Sequence, residues 1–366
     1  MRTSNRLYLD VHILQTVPPS CVNRDDTGSP KTALYGGVMR ARVSSQSWKR
    51  AMRMMFRELF EPDKLGVRTK KIVGLVANEI ARIGGVPDPE AAAQRVLETA
   101  GLRIKSIDNG TDALFYISAA QARALAILAA TNPETAQPSP TRDAKVKAQE
   151  ALRKSPSIDI ALFGRMVADD PSLNTDACAQ VAHSLSTHKV LTEYDYFTAV
   201  DDMAPEDNAG AGHIGAVEFY SATLYRYATV AVHELFRQID EDAVDAACAF
   251  VRTFACSMPS GMQNSFANRS LPDALMVALR ADQPVNLVGA FERPVSAGEV
   301  GYVTSSAKRL VSHAKSIYTS FAGDPALTLV TGGLLSELGT PQPLSMLLAS
   351  LEVELRKRLE NSETGR

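Results

Sequence analysis

Residues 31–60 constrain the fold more tightly than any other stretch of the chain. Trp48, Ala51, Met52, Met55, Phe56 and Leu59 recur at i, i+3, i+4, i+7, i+8 and i+11, the spacing of an amphipathic helix that must bury one face. At about 100° per residue, Gln46, Lys49, Arg50, Arg53 and Arg57 fall on the opposite side as one basic strip. Ser44 or Ser45 is the natural N-cap. Upstream, a Gly36-Gly37 turn leads into Val38–Val43, where Met39, Ala41 and Val43 alternate with Val38, Arg40 and Arg42. That alternation predicts a short strand with both arginines on one face. Lys31, Arg40, Arg42, Lys49, Arg50, Arg53 and Arg57 together face one acid, Glu58. An ordinary solvated helix face mixes signs so that i, i+4 pairs form. Here a strand edge and a helix start converge, both cationic, and helix N–H groups, hydroxyls and guanidinium groups all suit phosphate oxygens. The competing reading is a solvated surface face.

Charge is sorted along the chain. The 366 residues carry a net charge of −2, yet residues 1–60 hold ten Lys or Arg and four acids, leaving 29 basic and 37 acidic residues for the rest. A hydrophobic content of 45% is ample for a buried core. Asp10 and His12 interrupt the apolar start, and about 18 apolar residues never occur together, so neither a leader nor a membrane span is expected and the protein should stay in the cytoplasm. Cys21, Cys178, Cys248 and Cys256 form no C-x-x-C pair and have no His at ligand spacing. They read as small buried hydrophobes in a reducing compartment, with no metal site or cofactor implied.

In chain order, Leu7, Leu9, Val11 and Ile13 alternate with Tyr8, Asp10, His12 and Leu14, predicting a half-buried strand in the middle of a sheet. Residues 16–35 read as a long loop that carries Asn23, Arg24, Asp25 and Asp26. The adjacent aspartates suit either a metal or general-base site or, more simply, caps and turns. Residues 69–83, 89–100 and 117–131 are built from strong helix formers and suggest a helical insert. A linker with three prolines, 132–140, and a mildly basic helix from Arg142 to Lys154 follow. Residues 158–167 suggest a strand, 177–186 a helix or turn, and 215–232 the most strongly β stretch of the chain. Between them, 187–214 reads as a long hairpin projecting between core strands. Gly210, Gly212 and Gly215 spell G-x-G-x-x-G, but the motif follows an acidic loop and opens a strand, so it is not a dinucleotide fingerprint. An Ala-rich helix at 240–257 is followed by a small-residue loop, Pro259 to Ser265, of a kind that can bring backbone N–H groups to a phosphate. A strand at 273–280 and helices at 305–321 and 342–359 complete an α+β order compatible with a ferredoxin-like or RNA-recognition core carrying two insertions.

Residues 21–53, with Cys-Val-Asn-Arg-Asp-Asp, Tyr-Gly-Gly and Arg-Val-Ser-Ser-Gln-Ser-Trp-Lys-Arg-Ala-Met-Arg, resemble the CasC family, the CRISPR-RNA-binding backbone subunit of type I-E Cascade. The likeness continues through Asp159 to Met166, Ser186-Thr187-His188, Phe197 to Asp202, Glu218-Phe219, Tyr225-Arg226-Tyr227-Ala228 and Pro259 to Ala267. The resemblance implies a modified RNA-recognition palm at 1–60, 156–186 and 215–366, a helical fingers insertion at 61–155 and a thumb hairpin at 187–214. It also implies a non-catalytic antiviral role. Several copies polymerise along one CRISPR RNA beside other Cascade subunits, hold its backbone and leave its bases to pair with the target DNA strand. Such a grip reads phosphate and sugar rather than sequence. Matched positions for backbone contact are Asn23, Arg24, Lys31, Arg42, Ser44, Gln46, Lys49 and Arg53, with Gly261 in the small-residue loop. Met166, Phe197, Thr198 and Val200 match positions that wedge against bases. Val38 and Met39 after the glycine pair, and Met262 after Gly261, depart from the charge seen in some relatives. Two other readings stay open: a metal-dependent RNA-cleaving subunit using Asp25 or Asp26, as in related type III subunits, and a solitary RNA-binding module.

Overall fold

The computed structural model describes residues 6–363 apart from 109, 138, 168–169, 200–202 and 204–212. The chain opens with β1 (Tyr8–Ser20), β2 (Thr32–Tyr35), β3 (Val38–Val43) and α1 (Ser45–Phe56). β2 and β3 pair antiparallel in the register Thr32↔Ala41 to Tyr35↔Val38, and Gly36 and Gly37 both take positive φ, as a two-residue hairpin turn requires. A side chain at Gly36 would also strike the Glu292 carbonyl, since its Cβ would lie 1.6 Å from that oxygen. Next come β4 (Gly66–Thr69), α2 (Ile72–Ile83), α3 (Pro89–Thr99), β5 (Ile104–Ser106), β6 (Gly110–Thr111), β7 (Phe115–Ser118), α4 (Ala119–Thr131), α5 (Arg142–Arg153), α6 (Ile158–Phe163) and β8 (Ala179–Val181). The remainder comprises β9 (Ser184–Ser186), β10 (Glu193–Ala199), β11 (His213–Ala231), α7 (Val232–Ile239), α8 (Asp242–Cys256), α9 (Gln263–Phe266), β12 (Ala274–Arg280), α10 (Gly301–Ile317), β13 (Leu327–Thr331) and α11 (Leu344–Glu363).

Two compact units emerge. One comprises residues 1–54, 181–229 and 250–366, the other 55–180 and 230–249. The second thus takes in segments 156–180 and 230–249 beyond the helical insert read from the sequence. The first unit carries the sheet, in the order β13-β12-β1-β11-β9-β3-β2, with β10 paired to β11. β1 is central, as its alternation suggests, but it is buried on both faces, Asp10, His12 and Gln15 included. Helices on both sides explain this. Tyr225 and Tyr227 of β11 point into an apolar cluster with Met276, Val330 and, from α10, Leu310, Val311 and Ala314. Arg226, between them, points the other way and packs on Trp48 of α1 and Phe254 of α8. α10 and α1 therefore cover opposite faces of the same sheet.

Three expectations from the sequence are corrected. The loop expected from residue 16 begins only after Ser20, because β1 continues through Pro18 and Pro19. Both prolines lie beyond the β12 ladder, which ends at Leu14↔Ala274, so no hydrogen bond of that ladder is lost. Residues 158–167 do not form a strand. Asp159 accepts hydrogen bonds from Gly66 N at 2.8 Å, from Ser157 Oγ at 2.8 Å and from the Tyr116 hydroxyl, turning the segment into the short helix α6, and Gly164 ends it at φ 76°. Residues 177–186 contain strands β8 and β9 rather than a helix or turn. β9 is captured between β3 and β11 through Arg42↔Leu185 and Tyr225↔Leu185, a tertiary choice invisible in three residues.

The second unit packs α2, α3, α4 and α5 around Val73, Val76, Ile80, Val96, Leu97, Leu125 and Leu152. A capping box between Ser118 and Gln121 starts α4. Buried Arg165 donates to the carbonyls of Tyr116, Leu152 and Leu173 and to Gln121 Oε1, and desolvation lowers its guanidinium to about 10.

Candidate nucleic-acid interface

Helix α1 owes its position to Trp48. The indole Nε1 donates to Ser184 Oγ at 2.9 Å, and the Arg226 guanidinium lies 3.6 Å from the Trp48 ring centroid and 4.5 Å from that of Phe254. Arg226 also donates to Gln15 Oε1 at 2.6 Å and to the Phe254 carbonyl. Trp48, Met52 and Phe56 are each buried, so the predicted stripe faces inward, while Gln46, Arg50 and Arg57 are exposed and Lys49 and Arg53 half-buried. Desolvation lowers the Lys49 ammonium from its usual range.

The helix start is joined to the preceding loop by hydrogen bonds. Ser44 caps α1, its Oγ accepting from Ser47 N at 3.3 Å. Asn23 Oδ1 accepts from Ser44 N at 2.9 Å, and Lys31 N donates back to the Asn23 carbonyl at 2.8 Å. The Lys31 carbonyl accepts from Arg42 N at 2.9 Å and from the Tyr220 hydroxyl at 2.9 Å. Arg42 Nε donates to the Thr32 carbonyl at 3.1 Å, and Arg42 Nη1 meets His183 Nδ1 at 3.2 Å. Asn23, Lys31, Arg42 and Ser44 thus form one connected frame at the N-terminus of α1, next to Gln46 and Lys49, with Arg53 a turn further on. Arg24 is exposed on the same loop. Amide, hydroxyl, guanidinium and ammonium donors gathered at a helix start can bind an anionic polymer backbone.

Not every cation of this stretch belongs to that surface. Arg40 is 0% exposed and donates to the carbonyls of Tyr35, Ser186, Phe291 and Glu292 at 2.8 to 3.2 Å. It clamps the β2–β3 hairpin, and desolvation lowers its guanidinium from the usual range. Asp25 is a turn former: its Oδ1 accepts from the Thr27 hydroxyl at 2.7 Å and from the Thr27 and Ser29 amides at 3.0 Å each. The Thr27 hydroxyl is the main influence holding its carboxyl below the usual value. Among the described residues no group of three or more His, Cys, Asp or Glu could hold a metal ion, around Asp25 and Asp26 or elsewhere.

Gly261 has a packing role. A Cβ there would lie 2.0 Å from the Val22 carbonyl oxygen and 2.9 Å from that of Cys21. The small-residue loop therefore seats directly on the base of the Asn23–Arg24 loop, and Met262 follows at φ 46° before the single turn of α9. Phe197 and Thr198 are neighbours in β10, so they point to opposite faces of the hairpin. Phe197 pairs with Gly215, and its ring occupies the space a Gly215 side chain would fill, yet it remains 40% exposed. That packing also accounts for the third glycine of the G-x-G-x-x-G string, which lies inside β11. Gly210, Gly212 and Val200 fall outside the described residues. In the second unit Met166 is 84% exposed, projected between Arg165, bridged to Thr175, and Val167, whose amide donates to Asn174 Oδ1 at 2.7 Å.

Sequence reasoning missed His183, the Arg226 stack and the Asn23–Ser44 bond. No local signal marks them, since Arg42 and His183 lie 141 residues apart.

A mixed sheet-and-helix body with a donor-rich cationic helix start is the architecture these elements define. The chain belongs to the CT1975-like protein family, whose model matches residues 9–343. A solved subunit of a "CRISPR RNA-guided surveillance complex, pre-nicking" is 32% identical, with a TM-score of 0.78, and the match covers 94% of this chain and 99% of that one. A subunit of another "CRISPR RNA-guided surveillance complex" is 28% identical, with a TM-score of 0.62, covering 95% and 99% respectively. No curated relative matches the chain in sequence. The resemblance to the CasC family drawn from residues 21–53 is upheld by these matches. Among the described residues no helix is long and apolar enough to cross a membrane.

Proposed function

We propose that this chain is a non-catalytic backbone subunit of a CRISPR RNA-guided surveillance complex of the Cascade type I-E kind, holding the guide RNA by its phosphates. The observation that carries the reading is the hydrogen-bonded frame of Asn23, Lys31, Arg42 and Ser44 at the start of a basic helix. Arg24, Gln46, Lys49 and Arg53 add donors around that frame. A guide of arbitrary sequence must be held through groups that carry no sequence information, while its bases remain available to the target DNA strand. In this reading the sheet-bearing segments serve as palm, the helical insert as fingers and the β10–β11 hairpin as thumb. Phe197 on one hairpin face and Thr198 on the other contact guide bases, as do Val200 and exposed Met166. Neighbouring copies line up along one guide in the cytoplasm, beside other Cascade subunits.

Reversing Lys49 and Arg53 to Glu tests this grip. The double variant should fold as the parent does by circular dichroism and lose the RNA that co-purifies with it. Each single cation removed should reduce the log-log salt slope of RNA binding by about 0.7. Undiminished RNA content in the double variant would refute the assignment.

A further inference from the structure

His183 lies in the short break between β8 and β9, exposed, and no feature of the sequence draws attention to it. The break is held by Ala182 N, which donates to the Tyr227 carbonyl at 2.9 Å. Arg42 pairs across the sheet with Leu185, and His183, just ahead of β9, comes within hydrogen-bond distance of the Arg42 guanidinium. The 3.2 Å contact between Arg42 Nη1 and His183 Nδ1 has one chemical reading. A guanidinium has donors and no acceptor, so Arg42 donates and Nδ1 carries the lone pair. The imidazole proton then resides on Nε2. Partial burial, followed by the charges of Arg42 and Lys31, lowers the imidazole pKa and favours this neutral form.

We propose that His183 is a guide-backbone contact that presents its Nε2–H to an RNA phosphate oxygen while Arg42 holds Nδ1. The inference rests on the RNA-holding reading above and adds to it a neutral donor among the cations. A neutral donor contributes a hydrogen bond without displacing a counterion, and that separates its role from those of Lys49 and Arg42.

The test uses the full chain and polyuridylate RNA, with affinity measured across a salt series. His183→Ala should weaken binding roughly two- to tenfold while the log-log salt slope stays at the parent value. His183→Gln, whose amide supplies a donor at the same reach, should recover most of that affinity. Lys49→Ala, run alongside, should lower the slope by about 0.7. Long-range proton–nitrogen spectra of the free protein should show the Nε2–H tautomer at His183. Parent-like affinity for His183→Ala beside an impaired Lys49→Ala would overturn the inference and leave the RNA-holding reading standing. A reduced slope in His183→Ala would mean that the ring merely steers the Arg42 charge, and an Nδ1–H tautomer would contradict the geometry; either result overturns it. If Lys49→Ala is equally unaffected, the RNA-holding reading itself fails.

Discussion

At the scale of single residues, buried polar groups decide how the sheet-bearing unit holds together. Arg226 fills the space between Trp48 and Phe254 and satisfies two acceptors. Arg226→Ala should therefore cost about 3 kcal/mol, from lost packing together with the unpaired acceptors. Arg226→Lys should lose part of that, because an ammonium cannot stack flat between rings. Denaturant titration reads both, and a loss below about 1 kcal/mol for the alanine variant would contradict the stack's role. β1 holds two buried groups whose titrations oppose each other. Desolvation raises Asp10 from 3.8 to about 6, with the Val285 amide and Tyr227 hydroxyl as its hydrogen-bond donors. Desolvation, followed by the Arg280 charge, lowers His12 from 6.5 to about 3. A raised carboxyl contributes stability that is whole below pH 3.8 and lost as pH rises through about 6. A depressed imidazole contributes stability that is whole above pH 6.5 and lost as pH falls towards 3. Over the shared window the slopes offset, each at up to about 1.4 kcal/mol per pH unit. In His12→Gln only the Asp10 slope remains of this pair. The stability difference between parent and variant should change by about that amount per unit from pH 4 to pH 6. A pH-independent difference in denaturation midpoints would show that His12 does not titrate as described.

Elements are held in place by close approaches that a side chain would prevent. The small-residue loop rests on the Val22 carbonyl at Gly261, and that contact fixes the base of the loop bearing Asn23 and Arg24. Gly261→Ala must push the two backbones apart by about 1.5 Å, the shift that brings a 2.0 Å approach to ordinary contact distance. The variant is expected to keep its helical content by circular dichroism and lose RNA affinity at least tenfold, because the Asn23–Ser44 bond depends on that loop base. Unchanged affinity would mean that the loop accommodates the methyl group without moving Asn23. In the β10–β11 hairpin, Phe197 covers Gly215 and still exposes much of its ring. An aromatic side chain left in that state offers a stacking surface that tolerates any base. Phe197→Ala should remove periodic reactivity of guide bases to a single-strand reagent in the assembled particle, and an unaltered reactivity pattern would argue against base contact.

For the whole molecule, the proposed backbone role has each copy grip only a short run of guide, with affinity coming from neighbours that repeat along one strand. Light scattering of the chain on RNA of increasing length should show mass rising in steps of one protomer, with cooperative binding. A fixed stoichiometry on long RNA would favour the solitary module. Much of this architecture was legible in the sequence. The stripe at Trp48, Met52 and Phe56 is the buried face of α1, Ser44 is its cap, and β12 and α8 fall within a residue or two of their expected bounds. Misread segments are those whose state depends on distant partners. Asp159 turns α6 through Gly66 and Tyr116, and β9 becomes a strand between β3 and β11.

By itself the sequence determined the periodic elements and the concentration of positive charge near the N-terminus, because both are local properties of residue order. Only the tertiary structure decided which cations that charge makes available. Arg40 and Arg226 are withdrawn into the interior, where carbonyl oxygens and aromatic rings replace their water. Lys49, Arg42 and Arg24 stay at or near the surface around the start of α1. Local patterning cannot separate the two sets, because burying a guanidinium requires acceptors brought from residues such as Phe254, 28 positions from Arg226, and Phe291, 251 positions from Arg40, and those meet it only when the sheet is assembled.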